Sequence, residues 1–170
     1  MDFLLTTPGT LEKVVLWLSI GLPVAMFMEL WAMFLHRYIW HGPLWLLHRS
    51  HHEPRAGLLE RNDLFSILHA SFAIVLILYG CVGPEGWVRE AGFGFGLGMT
   101  TFGLSYMLIH DGLVHGRLPV AFLERNPWIH RLAAAHRAHH RTGHLPYGLF
   151  LGPQEARLVS RRRRALRAKS

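Results

Sequence analysis

The sequence has little cysteine and lacks several motifs typical of well-known metal chemistry. Cys81 is the only cysteine, so an internal disulfide and a C-x-x-C metal or redox site are excluded. The H-E-x-x-H motif of zinc proteases does not occur. The E-x-x-H motif of soluble di-metal helical bundles is absent as well. Any metal chemistry must therefore use a different set of side chains.

Charge is missing from three long stretches of the chain. Val14–Leu35 contains one charged residue, Glu29, while Leu64–Gly83 and Ala91–Ile109 contain no Asp, Glu, Lys or Arg. About 20 apolar residues are enough for a helix to cross a bilayer. The chain has 170 residues, of which 51% are hydrophobic. We therefore predict an all-α integral membrane protein, a single domain over residues 1–170 with about three transmembrane helices.

Basic residues are concentrated on one predicted side of the membrane. If the three stretches cross it, residues 36–63 and 110–170 share a side and carry 16 of the 18 Lys and Arg residues. Only Lys13 and Arg89 lie on the other side. Because Lys and Arg favour the cytoplasmic side, we expect the N-terminus outside and the C-terminus in the cytoplasm. Residues 36–63 and 110–153 would then be cytoplasmic.

The last predicted segment is a basic tail, residues 154–170, which includes the run Arg161–Arg164. We expect a solvated tail, with contact to anionic membrane lipid as the alternative and no nucleic-acid partner. The first apolar stretch is too long for a secretory signal peptide and lacks a small-residue cleavage site. A bacterial inner membrane is therefore the expected location.

Histidine is plentiful, and ten of the 13 histidines repeat in one order. Each half of the chain has an H-x4-H pair followed by an H-x2-H-H trio. Neutral imidazole is the commonest metal ligand in proteins, and ten imidazoles exceed what one ion of four to six ligands could use. The pattern predicts a site for two metal ions, with the ligands His36, His41, His48, His51, His52, His110, His115, His136, His139 and His140.

Helical geometry accounts for one of the two spacings. Residues i, i+3 and i+4 lie along one stripe of a helix, so each trio is expected to converge on one small volume. Asn126-Pro127 is typical of a helix start, and that helix is expected to run through His140 and stop near Gly143. Residues i and i+5 are about 140° apart on a regular helix, so each H-x4-H pair is expected to straddle a helix end just outside the membrane.

The three histidines outside the repeat are weaker candidates. His130 points away from the trio on its predicted helix. His69 lies in an apolar stretch and is expected to be a hydrogen-bonded core residue or an outer-shell partner. His144 follows a glycine and is expected at the surface or in the outer shell. His69 and His144 thus remain minor ligand candidates.

Acidic and amide side chains near the histidines could accept the hydrogen bonds that metal-bound imidazoles donate. The candidates are Glu53, Asn62, Asp63 and Asp111, with helix capping or ion pairing to arginine as the alternative for each. Glu29 is expected to face protein, because exposing a carboxylate to lipid is costly. Its role stays open at this point.

Pure imidazole ligation suits zinc, copper, iron or nickel, and a family resemblance narrows the choice. The segments HRSHHEPRAGLLERND (48–63), FGLSYMLIHDGLVH (102–115) and AAAHRAHHRTGHLPYGLFLG (133–152) resemble the membrane fatty-acid hydroxylase superfamily. Within it, they resemble the non-haem β-carotene 3-hydroxylases of bacteria and plants. The resemblance runs from about Met28 to Glu155. It implies a cytoplasmic helical cap in which the ten patterned histidines hold two iron ions.

The resemblance also implies a reaction and its partners. Molecular oxygen would be the co-substrate, and C3 of the β-ionone ring of a carotenoid drawn from the bilayer would be hydroxylated. Electrons would come from a donor such as ferredoxin with its reductase. Zinc would be a non-physiological occupant without redox chemistry. Gly92, Gly94, Gly96 and Gly98 are expected to pack against helices in lipid, or to let a rigid polyene lie close.

Two other readings of the sequence remain open. A fatty-acid or sterol hydroxylase or desaturase of the same superfamily would carry a similar histidine pattern. A membrane protein for metal transport or storage would need ionisable residues along a path through the membrane. Only Glu29 and His69 lie inside the apolar stretches, which disfavours transport.

Overall fold

The computed structural model describes residues 9–54, 57 and 59–168, which form helices and connecting turns with no strand among them. The α-helices of this part of the chain are α1 Thr10–Phe34, α2 Trp45–His52, α3 Asp63–Val82, α4 Trp87–Tyr106, α5 Pro127–Thr142 and α6 Gly152–Arg167. π-Helical segments, Leu35–Trp40 and Met107–Val114, continue α1 and α4, and a 3-10 turn, Ala121–Arg125, precedes α5. The predicted all-α class is confirmed.

Three segments of the described chain are long and apolar enough to cross a membrane, namely Thr10–Trp40, Asp63–Val82 and Trp87–Val114. They cover the predicted spans except Gly83, which lies just beyond the end of α3. Large apolar side chains point outwards from them: Met26 is 76% exposed and Val75 is 61% exposed. Extended apolar surface of this kind suits lipid better than water.

The chain divides into two compact units. The first, which we call the apolar unit, comprises Met1–Met28 and Asn62–Leu104. The second, the histidine unit, comprises Glu29–Arg61 and Ser105–Ser170. The organisation of the chain as a single domain stays a prediction.

Glycines bring the helices of the apolar unit into close contact. A Cβ atom at Gly98 of α4 would lie 2.5 Å from the carbonyl oxygen of Gly21 in α1. A Cβ atom at Gly96 would lie 3.0 Å from Cβ of Leu76 in α3, and Gly94 is also covered by α1. Small residues thus lie at helix interfaces, as expected in lipid. The alternative expectation, that these glycines leave room for a polyene, is wrong because neighbouring helices already cover them.

A buried carboxylate binds both basic residues of the described part of the apolar unit. Glu90 is 2% exposed and lies 3.3 Å from Lys13 Nζ and 2.8 Å from Arg89 Nη2. Trp17 Nε1 donates a hydrogen bond to the same carboxylate at 3.0 Å. These contacts compensate the cost of burying its charge and tie α1 to α4.

The histidine unit is built around α5. Asn126 Oδ1 accepts the backbone N–H of Trp128 at 2.9 Å, and Gly143, with φ 66°, ends the helix. This helix start and stop agree with the prediction. Leu132 of α5 and Leu149 are fully buried in the hydrophobic core of the unit.

The predicted basic tail is mostly helical, because α6 extends to Arg167. Residues 169–170 lie outside the described part of the chain. Arg161, Arg162 and Arg164 are exposed on this helix, which suits both a solvated tail and contact with anionic lipid, so the choice between them stays a prediction.

Candidate metal centre

The ten patterned histidines gather in the histidine unit as two groups of five. Within each group, one ring nitrogen from every member lies within 4.8 Å of the others. Group A consists of His36, His41, His48, His52 and His139. Group B consists of His51, His110, His115, His136 and His140. Each group is large enough to supply the ligands of one metal ion.

Each group takes four histidines from one half of the chain and one from the other. The middle member of each trio crosses over: His139 joins group A, and His51 joins group B. Nε2 of His139 lies 3.1 Å from Nε2 of His41, and Nε2 of His51 lies 2.9 Å from Nε2 of His110. The two halves of the histidine repeat are therefore interlocked.

The expectation that a whole trio converges on one volume is correct only for its outer members. Nε2 of His48 and of His52, at i and i+4, are 3.2 Å apart, and those of His136 and His140 are also 3.2 Å apart. Residue i+3 lies about 100° from residue i+4 around a helix. The middle histidine therefore faces the other group.

The H-x4-H pairs lie on π turns. The backbone N–H of His41 bonds to the carbonyl of His36 at 3.0 Å, and that of His115 bonds to the carbonyl of His110 at 3.0 Å. An i→i+5 hydrogen bond is the defining feature of the π-helix, which is often found at functional sites. The wider turn brings the rings of His36 and His41 to 5.0 Å between centroids. The 140° separation expected on a regular α-helix therefore does not apply here.

The histidines at the centre are held in the neutral form. Burial, reinforced by nearby imidazoles, lowers the pKa of His41 to about 4. Burial is also the main cause that lowers the pKa of His139 to about 4 and that of His115 to about 3. The pKa values of His51 and His136 are well below the usual range for the same reason. Neutral imidazole is the form that binds metal.

The donor set fits metal ions better than it fits a hydrogen-bonded cluster. Nε2 of His36, Nε2 of His115 and Nδ1 of His136 are buried without a hydrogen-bond partner among the described residues. Buried polar atoms are normally paired, since leaving one unpaired costs about 1–3 kcal/mol. A cation between the converging rings would satisfy the lone pairs at Nε2 of His36 and of His115. His136 meets His140 through Nε2, so its Nδ1 lies on the far side of the ring from such a cation.

Hydrogen bonds at the far side of the rings orient two histidines of group A. His36 Nδ1 donates to the carbonyl of Tyr147 at 2.7 Å, and His139 Nδ1 donates to the carbonyl of His144 at 2.7 Å. In each case Nε2 carries no hydrogen, and its lone pair faces group A. Partners of this kind fix the tautomer and orientation of a metal-binding imidazole.

Carboxylates do the same work in group B. His110 Nδ1 lies 3.0 Å from Asp111 Oδ1, so the structure brings together a pair that the sequence predicted. His51 Nδ1 lies 3.2 Å from Glu60 Oε2, and Glu60 also binds Arg117 at 2.9 Å. Sequence reasoning missed Glu60. It lies nine residues after His51, and no helical spacing relates the two.

The other predicted partners lie elsewhere. Glu53 binds Arg49 at 2.6 Å, with its side chain 51% exposed, which is the ion pair considered as the alternative. Asn62 precedes α3 and Asp63 begins it, and their part as hydrogen-bond partners of histidine stays a prediction.

Among the described residues, the three histidines outside the repeat belong to neither group. His69 Nδ1 donates to the carbonyl of Phe65 at 2.8 Å, one turn earlier in α3. His130 Nδ1 lies 3.3 Å from Glu124, on an exposed face. His144 lies beside the site, as one of the two positions expected for it, but it supports His139 through its backbone carbonyl and not through its imidazole.

Comparison with known proteins places these motifs in a family. Residues 22–154 of this chain match the protein family described as "Fatty acid hydroxylase". "Beta-carotene 3-hydroxylase 2, chloroplastic" from Arabidopsis thaliana is 49% identical over 144 residues, which cover 84% of this chain and 46% of that protein. "Beta-carotene hydroxylase" from Pseudescherichia vulneris is 44% identical over 137 residues, covering 77% of this chain and 74% of that protein.

The chain spans about half the length of the plant relatives that it matches, such as the 46% of the first Arabidopsis protein. A second Arabidopsis protein, "Beta-carotene 3-hydroxylase 1, chloroplastic", is 49% identical over 140 residues, which cover 81% of this chain and 44% of that protein. No solved structure gives a significant match.

Proposed function

We propose that this chain, which belongs to the fatty acid hydroxylase family, hydroxylates C3 of the β-ionone ring and converts β-carotene to β-cryptoxanthin and then zeaxanthin. The observation that carries the proposal is the pair of five-histidine groups, found in a chain similar to β-carotene 3-hydroxylases over most of its length. The enzyme class is therefore oxidoreductase.

The cofactor in this proposal is a pair of iron ions, one held by group A and one by group B. Iron at these positions would supply the activation of molecular oxygen needed to hydroxylate a C–H bond. Zinc, which also favours imidazole, would give inactive protein because it has no redox chemistry.

The protein's own contribution is a neutral and fixed set of ligands. Burial keeps the rings uncharged, so that no proton has to leave before a metal ion binds. Bonds from Nδ1 of His36 and His139 to backbone carbonyls hold each ring with Nε2 directed at group A. Apolar and aromatic side chains cover the site: the ring of Trp45 lies 5.1 Å from that of His41, and Tyr106 lies 4.6 Å from His110. They limit the access of water to a reactive centre.

The membrane setting suits such a substrate. A C40 hydrocarbon dissolves in the bilayer, and three segments of the described chain can cross it. We further propose that the N-terminus is outside and the C-terminus cytoplasmic, in a bacterial inner membrane, from the distribution of basic residues. A cytoplasmic donor such as ferredoxin with its reductase would then reach the centre directly.

The test is expression of the full chain in a bacterium that accumulates β-carotene, followed by chromatography of the pigments. We expect zeaxanthin to accumulate through a mono-hydroxylated intermediate, and only when oxygen is present. The matched control is the His51→Ala variant, which removes a member of group B. If the carotenoid stays unmodified while membrane fatty acids gain hydroxyl groups, the substrate is a lipid and the carotenoid proposal fails.

A further inference from the structure

Glu29 is a buried carboxylate of α1 that lies outside both histidine groups. Glu29 is 5% exposed, and its Oε1 accepts a hydrogen bond from the backbone N–H of Leu151 at 2.9 Å. The other carboxylate oxygen, Oε2, is buried without a hydrogen-bond partner among the described residues. Burying a charged or polar group is costly unless it is hydrogen-bonded. The Leu151 amide therefore compensates part of the cost of a carboxylate at this position in an apolar helix.

The segment that this carboxylate binds, residues 144–151, which we call the anchor loop, also reaches group A. Its Tyr147 carbonyl accepts the hydrogen bond from His36, and its His144 carbonyl accepts the one from His139, both at 2.7 Å. The equivalent bonds in group B go to side-chain carboxylates. Of these four supporting bonds, the anchor loop accepts the two from group A and neither of the two from group B.

A second carboxylate holds the middle of the anchor loop. Glu155 Oε2 accepts the backbone N–H of Tyr147 at 2.8 Å and that of Gly148 at 3.3 Å. The loop runs so close to α1 that a Cβ atom at Gly148 would lie 2.9 Å from Glu29 Oε1 and 2.9 Å from Met33 Sδ. Backbone and carboxylate thus pack without space for a side chain between them.

We propose that Glu29 is a positioning residue for the metal centre: by binding the anchor loop it fixes the carbonyl that orients His36, and so determines metal binding at group A. The inference rests on the proposed function, because it takes the grouped histidines to be metal ligands. Release of the loop removes the acceptor from His36 Nδ1, and the ring then rotates or changes tautomer. Loss of a hydrogen bond at the far side of a ligand typically weakens metal binding about 10- to 100-fold.

The experiment compares Glu29→Ala, Glu29→Gln and the wild-type chain. Gln keeps a carbonyl oxygen that can accept the Leu151 N–H, while Ala removes the acceptor. The matched control is Leu30→Ala, since the neighbouring Leu30 is 52% exposed. Each purified protein is loaded with ferrous iron without oxygen, and its iron content and the hydrogen exchange of residues 147–151 are measured.

The two groups predict about two iron ions in the wild type. Glu29→Ala should retain about one and should show faster exchange in the anchor loop. Glu29→Gln and Leu30→Ala should match the wild type in iron content, exchange and hydroxylation. If Glu29→Ala does not accumulate, Glu155→Ala releases the same loop at Tyr147 and Gly148 and should show the same loss of iron.

Two results would overturn the inference. Full iron content in the variant that loses the acceptor would show that the loop does not position group A. Inactivity of Glu29→Gln with two iron ions bound would show that the carboxylate is needed for its charge or its proton. Absence of iron from the wild type itself would instead refute the proposed function, so the two failures are distinguishable.

Discussion

His41 and His139 are separated by 98 residues, yet their Nε2 atoms are 3.1 Å apart. One comes from the π turn after α1 and the other from α5. Each half of the histidine repeat thus completes the histidine group of the other, through His139 in one direction and His51 in the other. In this structure neither half forms a five-histidine group from its own residues alone.

Because His139 and His51 each complete the group formed by the other half of the chain, losing either one is expected to have a severe effect. We expect His139→Ala and His51→Ala each to lower hydroxylation by about 100-fold or more, because a ligand and its fixed geometry are lost together. His130→Ala is the matched control on α5, because that exposed ring binds Glu124 instead. Product formation per enzyme is the measurement. Near wild-type turnover in either crossing variant would contradict the ligand assignment.

Part of this centre could be predicted from the sequence because it follows helix periodicity. The i,i+4 pair of His48 and His52 meets as expected, and the start of α5 at Asn126-Pro127 follows from capping chemistry. Apolar length alone placed the three candidate spans. In each of these cases the cause is local, and a short window of sequence contains it.

The rest depends on contacts between distant segments. The π turn that joins His36 to His41 changes the number of residues per turn, so α-helical angles gave no guide to that pair. The bond between His51 and Glu60 joins two residues nine apart in sequence, a spacing that no helical periodicity relates. Support of His139 by the carbonyl of His144 uses a backbone atom, which every residue has, so side-chain identity carries no signal for it.

The low pKa values predict a pH dependence for the stability of the metal-free protein. An unfolded histidine binds a proton below about pH 6.5, whereas the folded protein keeps His41 and His139 neutral to about pH 4. Between these values the unfolded state binds more protons, so the free energy of unfolding falls as the pH falls. We expect a lower thermal midpoint at pH 5.5 than at pH 7.5. Equal midpoints for metal-stripped protein would contradict the buried neutral histidines.

Helix packing in the apolar unit gives a prediction that is independent of the metals. Gly98→Leu places its first side-chain carbon against the backbone of Gly21. Overpacking of this kind costs about 1–3 kcal/mol, so the variant should unfold at a lower temperature in detergent. Gly103→Ala in the same helix is the control, since a Cβ atom there meets nothing within 4 Å. Equal losses in both variants would argue against a glycine-mediated contact between α1 and α4.

Glu60 offers the sharpest test of outer-shell support, because a similar carboxylate nearby serves as its control. Glu60 accepts a hydrogen bond from His51 and binds Arg117, and its side chain is only 8% exposed. Glu60→Gln removes the negative charge that strengthens the imidazole as a ligand, and we expect a loss of about 10- to 100-fold in metal affinity or activity.

Glu53→Gln should leave both properties within about twofold of the wild type, since an exposed ion pair with Arg49 contributes little to stability. Iron titration under anaerobic conditions measures the affinity of each variant, and pigment analysis measures turnover. If Glu53→Gln were the more damaging change, Glu53 and not Glu60 would be the carboxylate that supports the histidines of α2. That result would contradict the role inferred from the bond between His51 and Glu60. Because both substitutions exchange a carboxylate for its amide, a difference between them reflects position alone.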